Sequence, residues 1–277
     1  MKKRAFMAAV STGTLEILIY EQIGIDWWSG EGVTAGTVAD AIKAAGVFDR
    51  IVLRINSPGG SCFDGVAIYN LLRSQGKPIE VFVDGIAASA ASVIAMAGDT
   101  INIGVGAMLM IHNASWGVYG DAAALRKAAD EIENISVTVG EIYVKRTGND
   151  AAEIKALMDA ETWMGGSVAI EKGFADKLME QDEKEAAQAK ALARKFNMKA
   201  FRHAPAEFRK KEAPRASLNP ECECECGPCQ TVGCAGCEND PCTAIGCTCP
   251  NHEEMSSEFT PSLDTYRLRA ALRERLV

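Results

Sequence analysis

Residues 51–92 read IVLRINSPGG SCFDGVAIYN LLRSQGKPIE VFVDGIAASA AS, and this stretch decides the fold. Residues 51–55 are branched and apolar, as in a short buried strand. The turn Asn56-Ser57-Pro58-Gly59-Gly60 follows. Residues 63–72 carry helical spacing and stop near Gly76. Residues 79–83 (IEVFV) are the next strand. Gly85 is expected to open a turn, and residues 87–97 to form a helix of small residues. Strand, helix, strand and helix in this order predict a parallel β-α-β unit with a right-handed crossover.

The same alternation extends outward. Residues 15–23 are rich in branched and aromatic side chains and predict a strand. Residues 34–45 place Val38, Ala41, Ile42 and Ala45 at helical spacing, with Gly46 as a stop. Residues 100–103 and 108–111 predict short strands, and 121–143 and 151–158 predict helices. The fold class is therefore α/β. Functional groups on such sheets gather at the carboxyl ends of strands. Three expected turns lie there, after Ile55, Val83 and Ile111.

Composition sets the outer limits. The chain has 277 residues, 48% of them hydrophobic, with 29 basic and 37 acidic side chains and a net charge of −8. That length supports one large core with appendages and excludes a mini-protein dependent on disulfides. No run approaches the roughly 20 apolar residues of a membrane span. The acidic total argues against bulk nucleic-acid binding. Lys2, Lys3 and Arg4 before AFMAAV faintly suggest a signal peptide, but the apolar run is short. A leaderless, cytoplasmic protein is expected.

Charge and cysteine are unevenly spread, and the breaks suggest four segments. Residues 1–182 carry 15 basic and 23 acidic groups. Residues 183–217 carry 10 basic and 4 acidic groups, and alternate charge with alanine. This predicts a basic helical linker over 183–220, solvated or docked in cis or on another protein, with Pro205 and Pro214 ending the helix. Nine of the ten cysteines fall in 221–252, a stretch with no Lys or Arg. Residues 253–277 end in TYRLRAALRERLV, a short amphipathic helix. The spacings Cys226-x2-Cys229 and Cys234-x2-Cys237 suit tetrahedral zinc, and His252 offers a further ligand. Disulfides are not expected in a cytoplasmic chain.

Chemistry is sought at the three strand ends. The glycines after Pro58 admit backbone shapes closed to other residues, and leave N–H groups facing a ligand or oxyanion. Ser89 is flanked by residues with almost no bulk at a helix start, which fits either an N-cap or a nucleophile. Ser92, one turn further in, is the weaker candidate nucleophile. Only three histidines exist, and His112 alone lies in the patterned region, at the end of an apolar strand. It fits a structural role or that of the base a serine needs at neutral pH. Asp159, Glu161 and Asp176 are the acids placed to hold its tautomer. The chain order serine, histidine, acid and the lack of G-x-S-x-G argue against an α/β-hydrolase.

Taken together, IVLRINSPGGS, VDGIAASAAS, MLMIHN and ETWMGGSVAIEKGFADKL resemble the proteolytic subunit of the Clp protease over roughly residues 14–180. The closest likeness is to the Clp-type head-maturation proteases of tailed phages and prophages. The resemblance implies stacked β-β-α units of the kind shared with crotonases. It implies a serine endopeptidase with Ser89 as nucleophile and His112 as general base. The oxyanion donors would be the N–H of Ala90 and of a turn glycine, Gly59 ahead of Gly60. The family's acid is an aspartate; here counting back from Gly173 and Asp176 reaches Glu161, with Asp159 as the nearest substitute. No cofactor is implied for catalysis.

The resemblance also implies protein or peptide substrates, here capsid or scaffold proteins, and a homo-oligomeric ring. The helix at 121–143 stands where the family has the handle helix between stacked rings. After His112 the chain reads Asn113-Ala114 in place of the housekeeping Gln-Pro, which puts an ATP-driven unfoldase partner in question. Three rivals stand beside this reading. They are a signal-peptide-peptidase-like Ser–Lys protease, a crotonase-like acyl-CoA enzyme, and a non-catalytic capsid-assembly or scaffold factor.

Overall fold

The computed structural model describes residues 6–25, 30–179, 196, 198 and 201–205. Chain contacts divide the protein into two units, Met1–Glu212 and Ala213–Val277, and all described residues lie in the first. The cysteine cluster, the helix expected at residues 265–277 and most of the linker lie outside the described residues.

Eight strands form one sheet. β1 (Phe6–Ser11) and β2 (Thr14–Ile19) are an antiparallel hairpin. β3 (Arg50–Ser57), β4 (Ile79–Ala88), β5 (Thr100–Ile103) and β8 (Lys177–Leu178) continue from β2 in parallel, in the order β1-β2-β3-β4-β5-β8. β6 (Met108–Ile111) runs parallel to β4, and β7 (Thr162–Gly165) antiparallel to β6. The expected parallel α/β pattern holds at the centre, and the antiparallel partners add to it. β1 was not expected as a strand, because its residues are mostly exposed and carry no alternating pattern.

The helices follow the sequence spacing. α1 (Ala35–Ala45) starts at a Thr34–Thr37 capping box and buries Val38 and Ile42. α2 (Cys62–Ser74) is capped by Ser61 and buries Ile68, Tyr69 and Leu72. α3 (Ala90–Ala95) packs between α2 and the sheet. α4 (Ala122–Thr147) is capped by Asp121 and stopped by Gly148, and α5 (Ala151–Asp159) packs against it. α6 (Gly166–Glu171) leads into β8. Branched residues from the strands (Ile17, Leu53, Val81, Ile101) are fully buried in the core. Among the described residues no helix is long and apolar enough to cross a membrane.

One expectation fails where it matters most. β4 does not end at Val83 and Gly85 opens no turn; the strand continues to Ala88, and the helix starts only at Ala90. The first half of β4 pairs with β3 and β5, and its second half, Ile86–Ala88, pairs with β6. Asp84, just before Gly85, shows why the strand runs on. It lies buried in the strand, held by the Arg54 guanidinium and the Tyr20 hydroxyl. Burial and the adjacent carboxylate push the Tyr20 phenol up to about 12. The alanines after it are strong helix formers, yet cross-strand pairing fixes them as strand.

Candidate active site

Ser89 joins β4 to α3. Its backbone has φ 55° and ψ −126°, a conformation glycine adopts easily and other residues adopt only under constraint. Its N–H donates to Met110 O on β6 at 3.0 Å, which ties the strained residue to the neighbouring strand. Its side chain makes no capping bond to α3. Instead Oγ lies 2.8 Å from His112 Nε2. Ser92 is different: fully buried, it donates to Ser89 O at 2.6 Å and meets the Tyr143 hydroxyl at 2.8 Å. That geometry gives Ser92 a packing role and leaves Ser89 open.

His112 follows β6, so two adjacent parallel strands deliver the serine and the imidazole to one sheet edge. Burial pulls the His112 pKa down and the Glu161 carboxylate pulls it back up, with a net value below the ordinary imidazole range. The unprotonated ring, able to accept a proton, therefore persists to lower pH than in a free histidine.

The two expected acids are in different settings. Asp159 is exposed at the end of α5, where it accepts from Lys155 Nζ and from Asn113 Nδ2 at 2.8 Å each. Those two bonds hold its carboxyl below the usual range. It thus braces the residue after His112. Glu161 is buried, with φ 49°. Its carboxylate accepts from His203 N at 2.6 Å, Arg202 N at 2.8 Å and Trp163 Nε1 at 3.2 Å. Burial pushes its pKa up, but the His203, Arg202 and Trp163 donors outweigh that and hold it low. Among the described residues no hydrogen bond joins either acid to His112; Glu161 acts on it through charge. Asp176 is occupied elsewhere, by Ile101 N and Arg146.

The glycine turn presses on the serine turn. A Cβ on Gly59 (φ 87°) would lie 2.4 Å from Ala88 O and 2.8 Å from Ser89 Cβ. The Gly59 N–H donates to Ser57 Oγ at 3.1 Å, and Ser57 Oγ donates in turn to Glu21 O. The N–H groups of Gly60 and Ala90 have no acceptor among the described residues. The Gly59 N–H, placed ahead of Gly60 in the sequence reading, is thus engaged within its own turn.

These parts line a cavity of about 410 Å³, whose wall includes Gly60, Ser89, Ala90, His112, Trp116 and Phe201. Among the described residues no lysine lines it. Phe201 comes from the basic linker, with its ring edge-on to both His112 and Trp163, at 5.6 Å between centroids in each case. Of the two expectations for the linker, solvated helix or docking in cis, residues 201–205 follow the second: they are non-helical, with Ala204 buried. Sequence reading assigned no site role to Arg202 or His203; they act through the backbone, which carries no residue signature.

Cys62 also lines the cavity, and burial pushes its thiol up. At neutral pH Cys62 is expected to alkylate several-fold more slowly than a free cysteine, because less of it is thiolate. Peptide mapping after timed iodoacetamide treatment measures this, and modification as fast as in an unfolded peptide argues against it. Among the described residues no three His, Cys, Asp or Glu side chains converge as a metal site requires. Cys226, Cys229, Cys234 and Cys237 lie outside them.

Residues 38–182 match the family model described as Clp protease. Among solved structures the chain is similar to a ClpP1 mutant from Listeria monocytogenes, at 21% identity and a TM-score of 0.52. That similarity covers 61% of this chain and 94% of the other, and at this identity it speaks for the fold alone.

Proposed function

The chain belongs to the Clp protease family, and from that premise we propose that it is a serine endopeptidase whose nucleophile is Ser89 and whose general base is His112. The observation that carries the reading is the 2.8 Å approach of His112 Nε2 to the Oγ of a serine held in a strained backbone shape. In the proposed reaction Oγ attacks a peptide carbonyl while His112 takes its proton. The tetrahedral oxyanion is held by the N–H groups of Ala90 and Gly60. His112 then protonates the leaving amine, and water hydrolyses the acyl-enzyme by the same route. Glu161 supports the imidazolium that forms in both steps.

The test is labelling of the full chain with a fluorophosphonate, followed by peptide mapping. Modification at Ser89, abolished by His112→Ala, is expected. Labelling that survives His112→Ala would favour a Ser–Lys mechanism, and no labelling would favour a crotonase-like acyl-CoA enzyme. The Ser89–His112 contact supports the triad reading over both, and among the described residues no lysine lines the cavity.

The pH profile gives a second expectation. Glu161→Gln removes the charge that pulls the His112 pKa up. The acid limb of kcat/KM should therefore move to lower pH, while kcat falls about 10²-fold through lost positioning. A limb moving to higher pH contradicts the assignment.

The substrates we propose are capsid or scaffold proteins of an assembling phage head, on the motif likeness set out above. Cleavage of co-expressed head proteins that stops with Ser89→Ala tests this. We also propose a homo-oligomer. An apolar groove of about 610 Å³ runs between α4 and α5, lined by Ile132, Val137, Val144 and Ile154, and Leu125 and Val137 are exposed on the same long helix. Zinc in the cysteine-rich stretch stands as a proposal on spacing alone, tested by metal content of the reduced protein.

A further inference from the structure

The matched family region ends at residue 182, yet part of the site comes from beyond it. Met198 and Ala204 are buried against Ile86, Ala88 and Met110, in an apolar cluster separate from the main core. Between these two anchors, Phe201 stacks edge-on to His112 and Trp163. The next two backbone N–H groups, of Arg202 and His203, both point at the Glu161 carboxylate, at 2.8 and 2.6 Å. His203 is fixed a second way, with its ring nitrogen Nδ1 3.1 Å from Ala160 O.

We infer that this linker stretch is a built part of the catalytic unit: the main-chain N–H groups of Arg202 and His203 position the Glu161 carboxylate for His112, and Met198, Phe201 and Ala204 seat those N–H groups. The inference rests on the protease reading above and deepens it. The physical need is clear. Glutamate has one more rotatable bond than aspartate, so its carboxylate is harder to fix. Two main-chain donors on rigid seats remove that freedom. A carboxylate has about four acceptor positions, and the three N–H groups in place leave room for a further donor. Arg202 and His203 are thus positioning residues, acting through Glu161 and not on substrate.

The seat can be loosened without opening the main core, because among the described residues Met198 packs on the smaller cluster. Met198→Asp in the full chain places a charge in that seat. Arg202→Pro removes one donor and keeps every side chain of the seat. Each is expected to lower kcat about 10²-fold with little change in KM, the scale of a misplaced catalytic group. The double variant Met198→Asp/Glu161→Gln is expected to be no slower than either single variant, because both remove the same contribution.

The second readout is the titration of the Glu161 carboxyl by ¹³C NMR, read against the groups that face it: the Trp163 indole N–H, the His112 imidazole and the two main-chain N–H groups. Both strap variants should raise the carboxyl pKa toward the ordinary glutamate range, since N–H donors favour the charged form. Unchanged titration overturns the inference. So does a rise in kcat, which would make the strap a lid, or losses that multiply in the double variant, which would make it only structural. If the wild-type chain cleaves no peptide, the protease reading falls while the titration still decides the clamp.

Discussion

Ser89→Ala is expected to reduce peptide cleavage by about 10⁶-fold, the loss seen when a triad nucleophile is removed. The fold should survive, because Ser89 Oγ caps no helix and bonds only to His112 among the described residues. The backbone makes the test sharper. At φ 55° and ψ −126° both serine and alanine are strained, and glycine is not. Ser89→Gly should therefore be as inactive as Ser89→Ala yet more stable than it, by about 1–3 kcal/mol. Thermal melting of the two variants measures the difference. If Ser89→Gly is the less stable, the strain at Ser89 is not real. If Ser89→Ala retains cleavage, the nucleophile is misassigned.

The second large effect is expected at Gly59. Adding one methyl group there sets a Cβ 2.4 Å from Ala88 O and 2.8 Å from Ser89 Cβ, at a φ of 87°. The left-handed backbone alone costs about 1–3 kcal/mol for a non-glycine residue. The collision adds to it, because Ala88 O is main chain and cannot rotate away. Relief requires the glycine turn to back off from the serine turn. Gly60 and Ala90, which line one cavity and are the oxyanion donors proposed above, would then move apart, and loss of one such donor costs about 10²–10³-fold in kcat. Gly59→Ala is thus expected to lower both melting temperature and kcat. Gly46 provides the control. It has a similar φ of 69° with nothing near the added Cβ, and it closes α1, away from the catalytic groups. Gly46→Ala should lose stability by backbone strain alone and keep full activity per folded molecule. Equal kcat in the Gly59 and Gly46 variants would refute the close-packed turn.

Much of this site was legible in sequence for a physical reason. Residues at the carboxyl ends of parallel strands converge whatever lies between them, so SPGG, Ser89 and His112 are brought together by topology. The limits are as physical. Ala87 and Ala88 favour helix intrinsically, and only pairing with β6 makes them strand. Gly59 and Gly60 are indistinguishable until the Ser57 hydroxyl is seen to take one N–H and not the other. The strap was hidden because its decisive groups are backbone. The one available hint was the large apolar trio Phe196, Met198 and Phe201, which breaks an otherwise alternating charge–alanine pattern.

The placement of the Glu161 clamp has a consequence for synthesis. Serine, base and oxyanion donors all lie between Gly59 and His112, on strands that neighbour one another in the sheet. The donors that fix the acid arrive only with Arg202 and His203. At ordinary elongation rates that interval is on the order of ten seconds. On the proposed reading, a nascent chain thus receives its nucleophile and base before the donors that set its acid. Full hydrolytic power would, on that same reading, wait for residue 203 to leave the ribosome and fold, and a chain that stalls earlier would lack the donors that set its acid.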